Sequence, residues 1–152
     1  MTDRSIAHGT FVLERKYPAS PARVFRAWAD PAIKQRWFGD GNTPAKIFDF
    51  REGGRELMES GEGEFQFGFD VRYEDIVENN RIIYTYYMTM GGKRISVSVA
   101  AMELFADGDG TRMTVTEHGC FLDGLDNMQQ RRRGTDMLLD ALGAELAREA
   151  AN

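Results

Sequence analysis

Val24-Phe25-Arg26-Ala27-Trp28-Ala29-Asp30-Pro31, followed after five residues by Trp37-Phe38-Gly39, decides how the rest of this chain is read. Two helix starts flank it. Ser20-Pro21 couples a side chain that caps free N–H groups to a proline tolerated at the first helical position, and Asp30-Pro31 repeats the device. Val24, Phe25 and Trp28 give the first helix an apolar stripe. Ile33 and Trp37, four apart, give one to the second, and Gly39 is its expected stop. Upstream, residues 11–17 read as a strand ended by Pro18. Downstream, the apolar period changes to two.

Strands are expected over 45–51, 54–60, 65–77, 81–90, 94–105 and 111–121. Turn chemistry separates them: Gly53-Gly54, Gly61-Glu62-Gly63, Asn79-Asn80, Gly91-Gly92 and Gly108-Asp109-Gly110. Connections this short force neighbouring strands to run antiparallel. In the last strand Met113, Val115 and Glu117 share the face that should point inward, and Ile82, Tyr84, Tyr86 and Met88 form a similar set. Ala100-Ala101-Met102 breaks the alternation, which predicts a bulge there. From about Gly124 to Ala150 the period is helical. Met128, Arg132, Thr135, Leu139, Leu142 and Leu146 fall on one stripe, with Leu138 beside it. At 1.5 Å per residue this helix is roughly 35–40 Å long, enough to cross such a sheet. The layout is α+β: a curved antiparallel sheet of about seven strands around a long C-terminal helix, with two short helices between the first two strands. Such an arrangement usually encloses a pocket.

The 152 residues are expected to form one domain over 1–152, large enough to bury a core without staples. A net charge of −5 argues against a nucleic-acid partner. Cys120 is the only cysteine, so no intramolecular disulfide can form, which suits a reducing compartment. No apolar h-region follows Met1-Thr2-Asp3-Arg4, and no apolar run approaches the ~20 residues of a membrane span. A cytoplasmic protein without membrane insertion is therefore expected.

Four motifs then line up with a known family. Val24-Phe25-x-Ala27-Trp28-x-Asp30-Pro31 with Trp37-Phe38-Gly39 resembles the opening of the proteins named after the activator of the heat-shock protein 90 ATPase. Asp49-x-Arg51-x-Gly53-Gly54 resembles that family's next motif. Gly110-Thr111-x-Met113-Thr114 resembles its last-strand signature, and Gly134-x4-Leu139-Asp140-x-Leu142 its C-terminal helix. The resemblance covers roughly 11–150. It implies membership of the wider superfamily of START domains, the birch-pollen-allergen fold and polyketide cyclases, and with it the helix-grip fold and a hydrophobic pocket between sheet and helix. That fold hosts carriers, receptors, cyclases and chaperone activators, so no single reaction is implied. The family usually has Trp directly after the helix glycine, where this chain has Thr135. The pattern after Leu142 is also altered, to Gly143-Ala144-Glu145-Leu146.

Glu117 is the sharpest chemical candidate. A carboxyl on an inward face would have a raised pKa and could act as acid or base. The alternative, preferred here, is that it pairs with an inward arginine or a backbone group. Arg131, Arg132 and Arg133 form the only basic run, and on a helix they point three ways. Arg132 alone shares the stripe with Thr135, where it either guards the pocket mouth toward an anionic ligand or snorkels to solvent. Trp37, Phe38, Phe67, Phe69, Tyr84 and Tyr86 are expected inward or near the pocket. His118 and Cys120 share a strand face, but with His8 the only other histidine no metal site is expected, nor any cofactor. The ligand-binding set is therefore Trp37, Phe38, Phe69, Tyr84, Tyr86, Glu117, Met128, Arg132, Thr135 and Leu138. Its expected occupant is a small hydrophobic or amphipathic molecule. The rival readings are a cyclase- or hydrolase-like enzyme using Glu117 as acid/base, with Tyr84 or Tyr86 orienting substrate, and a chaperone-associated protein. These 152 residues are expected to form a lone domain, with no room among them for the second domain that the eukaryotic activators carry, which counts against the last. Monomer and homodimer both remain open.

Overall fold

Proline cannot donate to a strand ladder, so Pro18 ends the first strand, and two capping side chains behind it set two short helices in succession. In the computed structural model, which describes residues 4–150, Ser20 Oγ accepts from the Arg23 N–H at 3.3 Å and starts α1 (Pro21–Ala29). Asp30 Oδ1 accepts from the N–H groups of Ala32 at 2.9 Å and Ile33 at 3.4 Å and starts α2 (Pro31–Trp37). The indole N–H of Trp37 donates to the Ala27 carbonyl at 3.0 Å and locks the two helices together.

The first strand, β1, runs Ile6–Tyr17, five residues longer at its start than the expected 11–17. After α2 come β2 (Ile47–Phe48), β3 (Arg55–Ser60), a single 3-10 turn (Gly63–Phe65), β4 (Phe67–Val77), β5 (Arg81–Met90), β6 (Lys93–Asp107), β7 (Gly110–Leu122) and the long helix α3 (Met128–Ala150). The seven strands make one antiparallel sheet in the order β1-β7-β6-β5-β4-β3-β2. The first strand thus lies beside the last, in register from Ile6 opposite Leu122 to Tyr17 opposite Thr111. All three helices contribute to the core that covers one face of this sheet. The architecture is an α+β helix-grip. Among the described residues no helix is long and apolar enough to cross a membrane.

Three local expectations need correcting. The strand expected over 45–51 shrinks to Ile47–Phe48, because the backbone turns immediately after it: the Arg51 N–H donates to the Asp49 carbonyl and that of Gly54 to Arg51. Pairing through Ala100–Met102 is continuous with both neighbours, so no bulge lies there. The register instead shifts opposite Tyr84–Ile83, where Glu74 is the extra residue of β4, and opposite Met88–Thr89, where Ile95 is the extra residue of β6. The long helix starts at Met128 rather than near Gly124, because Asn127 Oδ1 takes the Gln130 N–H at 2.9 Å.

Leu139, Leu142 and Leu146 of α3 are essentially solvent-free, as are Ile82, Met102 and Met113 of the sheet. The phenol of Tyr17 donates to the Leu139 carbonyl at 2.7 Å, and Arg15 reaches Asp136 at 2.8 Å, so β1 and α3 are joined by polar bonds as well as by packing. At the other end of α3 the approach is closer still. A Cβ on Gly9 would lie 2.6 Å from the Met128 side chain, which only glycine avoids. An ion pair inside the core, which the sequence reading does not anticipate, ties α2 to β3. Lys34 Nζ lies 2.7 Å from Glu56 Oε1, both side chains are buried, and Tyr73 Oη donates to the same oxygen at 2.6 Å. The ammonium also sits 4.6 Å from the Phe38 ring centroid. Removing one partner of a buried pair strands the other, so Lys34→Met should lower stability by about 3–5 kcal/mol, while Lys34→Met with Glu56→Leu should recover most of it. Urea unfolding of the two variants measures the difference, and equal losses in both would contradict this account.

Candidate functional site

Between the sheet and the first half of α3 lies a cavity of about 550 Å³. Strand alternation supplies its floor. Tyr84 and Tyr86 of β5 and Val115 and Glu117 of β7 point inward, and Phe69 of β4 joins them. Trp37 and Phe38 come from the end of α2, and Thr135 and Leu138 from α3. The aromatic rings form a continuous wall. Phe38 and Phe69 are 5.1 Å apart by centroid, Phe69 and Tyr86 4.8 Å, and Tyr84 and Tyr86 5.9 Å. Phe67 and Leu125, at 41% and 47% exposure, stand on the rim, so the cavity opens to solvent.

One polar cluster interrupts this apolar wall. β6 separates β5 from β7, yet Tyr86 and Glu117 meet across it. The β6 residues in register beside them are Ser98 and Ala100, side chains too small to block the way. Tyr86 Oη donates to Glu117 Oε1 at 2.7 Å. Arg131 Nη1 in turn donates to Tyr86 Oη at 2.9 Å. Arg131 Nη2 donates to Ser96 Oγ at 2.9 Å and to the Asp126 carboxylate. The guanidinium is buried and lies 5.4 Å from the Tyr86 ring centroid and 5.6 Å from that of Phe121. Among the described residues Glu117 Oε2, which is buried, has no hydrogen-bond partner; Arg131 Nη1 is 3.9 Å from it, beyond bonding distance. Trp28 Nε1 and Ser98 Oγ are also buried without partners.

Burial pushes the Glu117 carboxyl above the ordinary value of 4.5; the Tyr86 hydrogen bond and the Arg131 charge oppose the shift and the Asp126 charge adds to it. Burial likewise pushes the phenol of Tyr86 well above its ordinary range, so Tyr86 stays protonated and remains a donor.

Eight of the ten residues put forward from the sequence border this cavity: Trp37, Phe38, Phe69, Tyr84, Tyr86, Glu117, Thr135 and Leu138. Arg132 and Met128 do not; they border a separate outer depression with Gln129, Arg133 and Asp136. The reason for Arg132 is helical phase. At 3.6 residues per turn, Arg131 falls about 20° from the buried Leu142 and Arg132 about 80° away. The expected stripe is one residue out at this end, and the arginine that turns inward is Arg131, where Asp126, Ser96 and Tyr86 receive it. Met128 lies over Gly9 of β1, to one side of the cavity. Sequence reasoning also leaves out Asp126, whose residue type gives no sign of facing inward, and Trp28, which it places on the apolar stripe of the first helix but not at the cavity. Thr135, which bonds back to the Arg131 carbonyl at 2.9 Å, borders the cavity from α3. On the opposite sheet face Cys120 Sγ lies 3.7 Å from His8 Nδ1, and His118 pairs with Thr10.

Linkage follows from the raised Glu117 value. A carboxyl that binds its proton more tightly when folded contributes stability below 4.5, and that contribution is lost as pH rises through the higher folded value. Relative to Glu117→Gln, which cannot titrate, the parent protein should therefore lose stability as pH climbs above 4.5. Urea unfolding of both from pH 4 to 8 checks this; a constant difference would show that burial does not perturb the group.

Comparison with known proteins agrees with this architecture. Residues 18–147 match the family model described as Activator of Hsp90 ATPase homolog 1-like protein. The chain belongs to that family. Among solved structures it is similar to the Mll3558 protein of Rhizobium loti, at 45% identity over 93% of this chain and 99% of the other, with a TM-score of 0.87. An uncharacterized protein from Rhizobium leguminosarum is 42% identical over 97% of this chain and 99% of its own, with a TM-score of 0.89. CalU16 from Micromonospora echinospora shares the fold at 22% identity and a TM-score of 0.66, covering 99% of this chain and 89% of its own. No functionally curated protein matches the chain.

Proposed function

We propose that this protein binds a small hydrophobic or amphipathic molecule in the cavity between the sheet and α3. The observation that carries the reading is the cavity itself: about 550 Å³, walled mostly by aromatic and aliphatic side chains with a few polar groups among them. Ligand sites have this composition, with apolar walls for affinity and a few fixed polar groups for orientation. The family supports a ligand-binding fold without naming the ligand.

Thr135 provides the test. It borders the cavity from α3, and a tryptophan there would project into the space now open. With the neutral fluorescent probe N-phenyl-1-naphthylamine, Thr135→Trp should weaken binding about tenfold or more, while circular dichroism stays unchanged. Equal affinity in parent and variant would place the binding site elsewhere.

A further inference from the structure

Resting on that reading of the cavity, the chemistry of the buried polar cluster around Glu117 specifies the ligand further. Arg131 can only donate, and its Nη1 donates to Tyr86 Oη, while the phenolic hydrogen goes to Glu117 Oε1. That oxygen is an acceptor and is satisfied. Glu117 borders the cavity, and its other oxygen, Oε2, is buried and has no hydrogen-bond partner among the described residues. Charge leads to the same atom. Two carboxylates, Glu117 and Asp126, share one guanidinium, and Arg131 Nη2 is bonded directly to Asp126 while Glu117 Oε2 stands 3.9 Å from Nη1. The groups facing Glu117 are Tyr84 and Tyr86 from β5, Ser98 and Ala100 from β6, Arg131 from α3 and Asp126 from the turn before it; His118 points away from it on β7. None supplies a second cation. A lone carboxylate beside apolar walls is costly, and a proton on Oε2 removes that cost.

We infer that Glu117 presents a protonated Oε2 to the cavity as a hydrogen-bond donor, and that the ligand is an uncharged molecule carrying an acceptor oxygen, a carbonyl or its equivalent, on an apolar body. Arg131, Tyr86 and Glu117 then form a chain of donors, each oriented by the one before it, that ends on the ligand oxygen. A cationic ligand is the opposite case, since it would need the carboxylate ionised.

A matched set of probes separates these cases: 2-ethylnaphthalene, 2-acetylnaphthalene and the ammonium ion of 2-naphthylmethylamine, each titrated as a competitor of N-phenyl-1-naphthylamine. The informative quantity is the ratio of acetyl to ethyl affinity. Glu117→Leu should lower that ratio about tenfold, the worth of one hydrogen bond in an apolar site, whereas Glu117→Gln, whose amide can donate from the same place, should keep it. In the parent protein the acetyl probe should bind more weakly as pH rises and Glu117 ionises, with the ethyl probe less affected and the Glu117→Gln variant insensitive. The parent measurement stands even where a variant fails to fold. A ratio indifferent to Glu117→Leu, or an ammonium probe that binds best and tightens with pH, overturns the donor role while leaving the cavity reading intact. Failure of the ethyl probe and its fluorescent competitor to bind at any pH overturns the cavity reading and this inference with it.

Discussion

The pairing of β1 with β7 is the constraint on which the remaining structure depends. It joins a strand from the start of the chain to one near its end over a twelve-residue register. Everything between them must then return through a single antiparallel path, β7-β6-β5-β4-β3-β2, that leaves one face to be covered. The helices inserted after β1 and the helix that follows β7 emerge at this shared seam and come to lie on the same face. Thr111 at the start of β7 donates to the Ala19 carbonyl just before α1, and Arg23 of α1 donates to the Leu146 carbonyl of α3, so the seam is bonded from both sides.

The cavity follows from the uneven composition of α3. Its second half carries Leu138, Leu139, Leu142 and Leu146, which fill the space above the sheet and join the α1 side chains in the core. Its first half reads Gln129, Gln130, Arg131, Arg132, Arg133, Gly134 and Thr135, with no large apolar side chain to fill the same space. The helix is held at its start by Met128 over Gly9 and farther along by the leucines. The segment between is a bridge over open volume. A packed core would need bulk there, and a tryptophan at position 135 is the kind of residue that would supply it.

Much of this is legible in the sequence because turns and caps are local. Gly91-Gly92, Gly108-Asp109-Gly110 and the Ser20-Pro21 and Asp30-Pro31 starts bound their elements to within a residue or two of where the structure has them. Alternation along β5 and β7 likewise brings Tyr84, Tyr86 and Glu117 inward. The errors arise where tertiary partners decide. Ala100–Met102 breaks the alternation in sequence yet keeps the register with both neighbours, and the small side chains of Ser98 and Ala100 let Tyr86 reach Glu117. Arg131 turns inward because a phenol, a serine and a carboxylate from three other segments receive it, which one helix's periodicity does not contain. Lys34 and Glu56 find each other from α2 and β3 on the same principle.

Three glutamates are buried among the described residues, and comparing them isolates the unusual one. Glu56 has the Lys34 ammonium at 2.7 Å, and Glu145 has Arg36 Nε at 2.5 Å. Each is a direct pair that cancels its charge where it stands, so each ties a helix to its neighbour: α2 to β3 and α2 to α3. Glu117 is as deeply buried, but its guanidinium stands 3.9 Å away and is bonded to another carboxylate. The same core therefore contains the solution it uses twice and withholds it once, at the glutamate that faces the cavity. A buried acid left without its own cation is a poor device for holding a fold together, since it destabilises the folded state whenever it ionises. Its position makes sense for a group that stays protonated and finds its hydrogen-bond acceptor outside the protein, in the cavity that Glu117 borders.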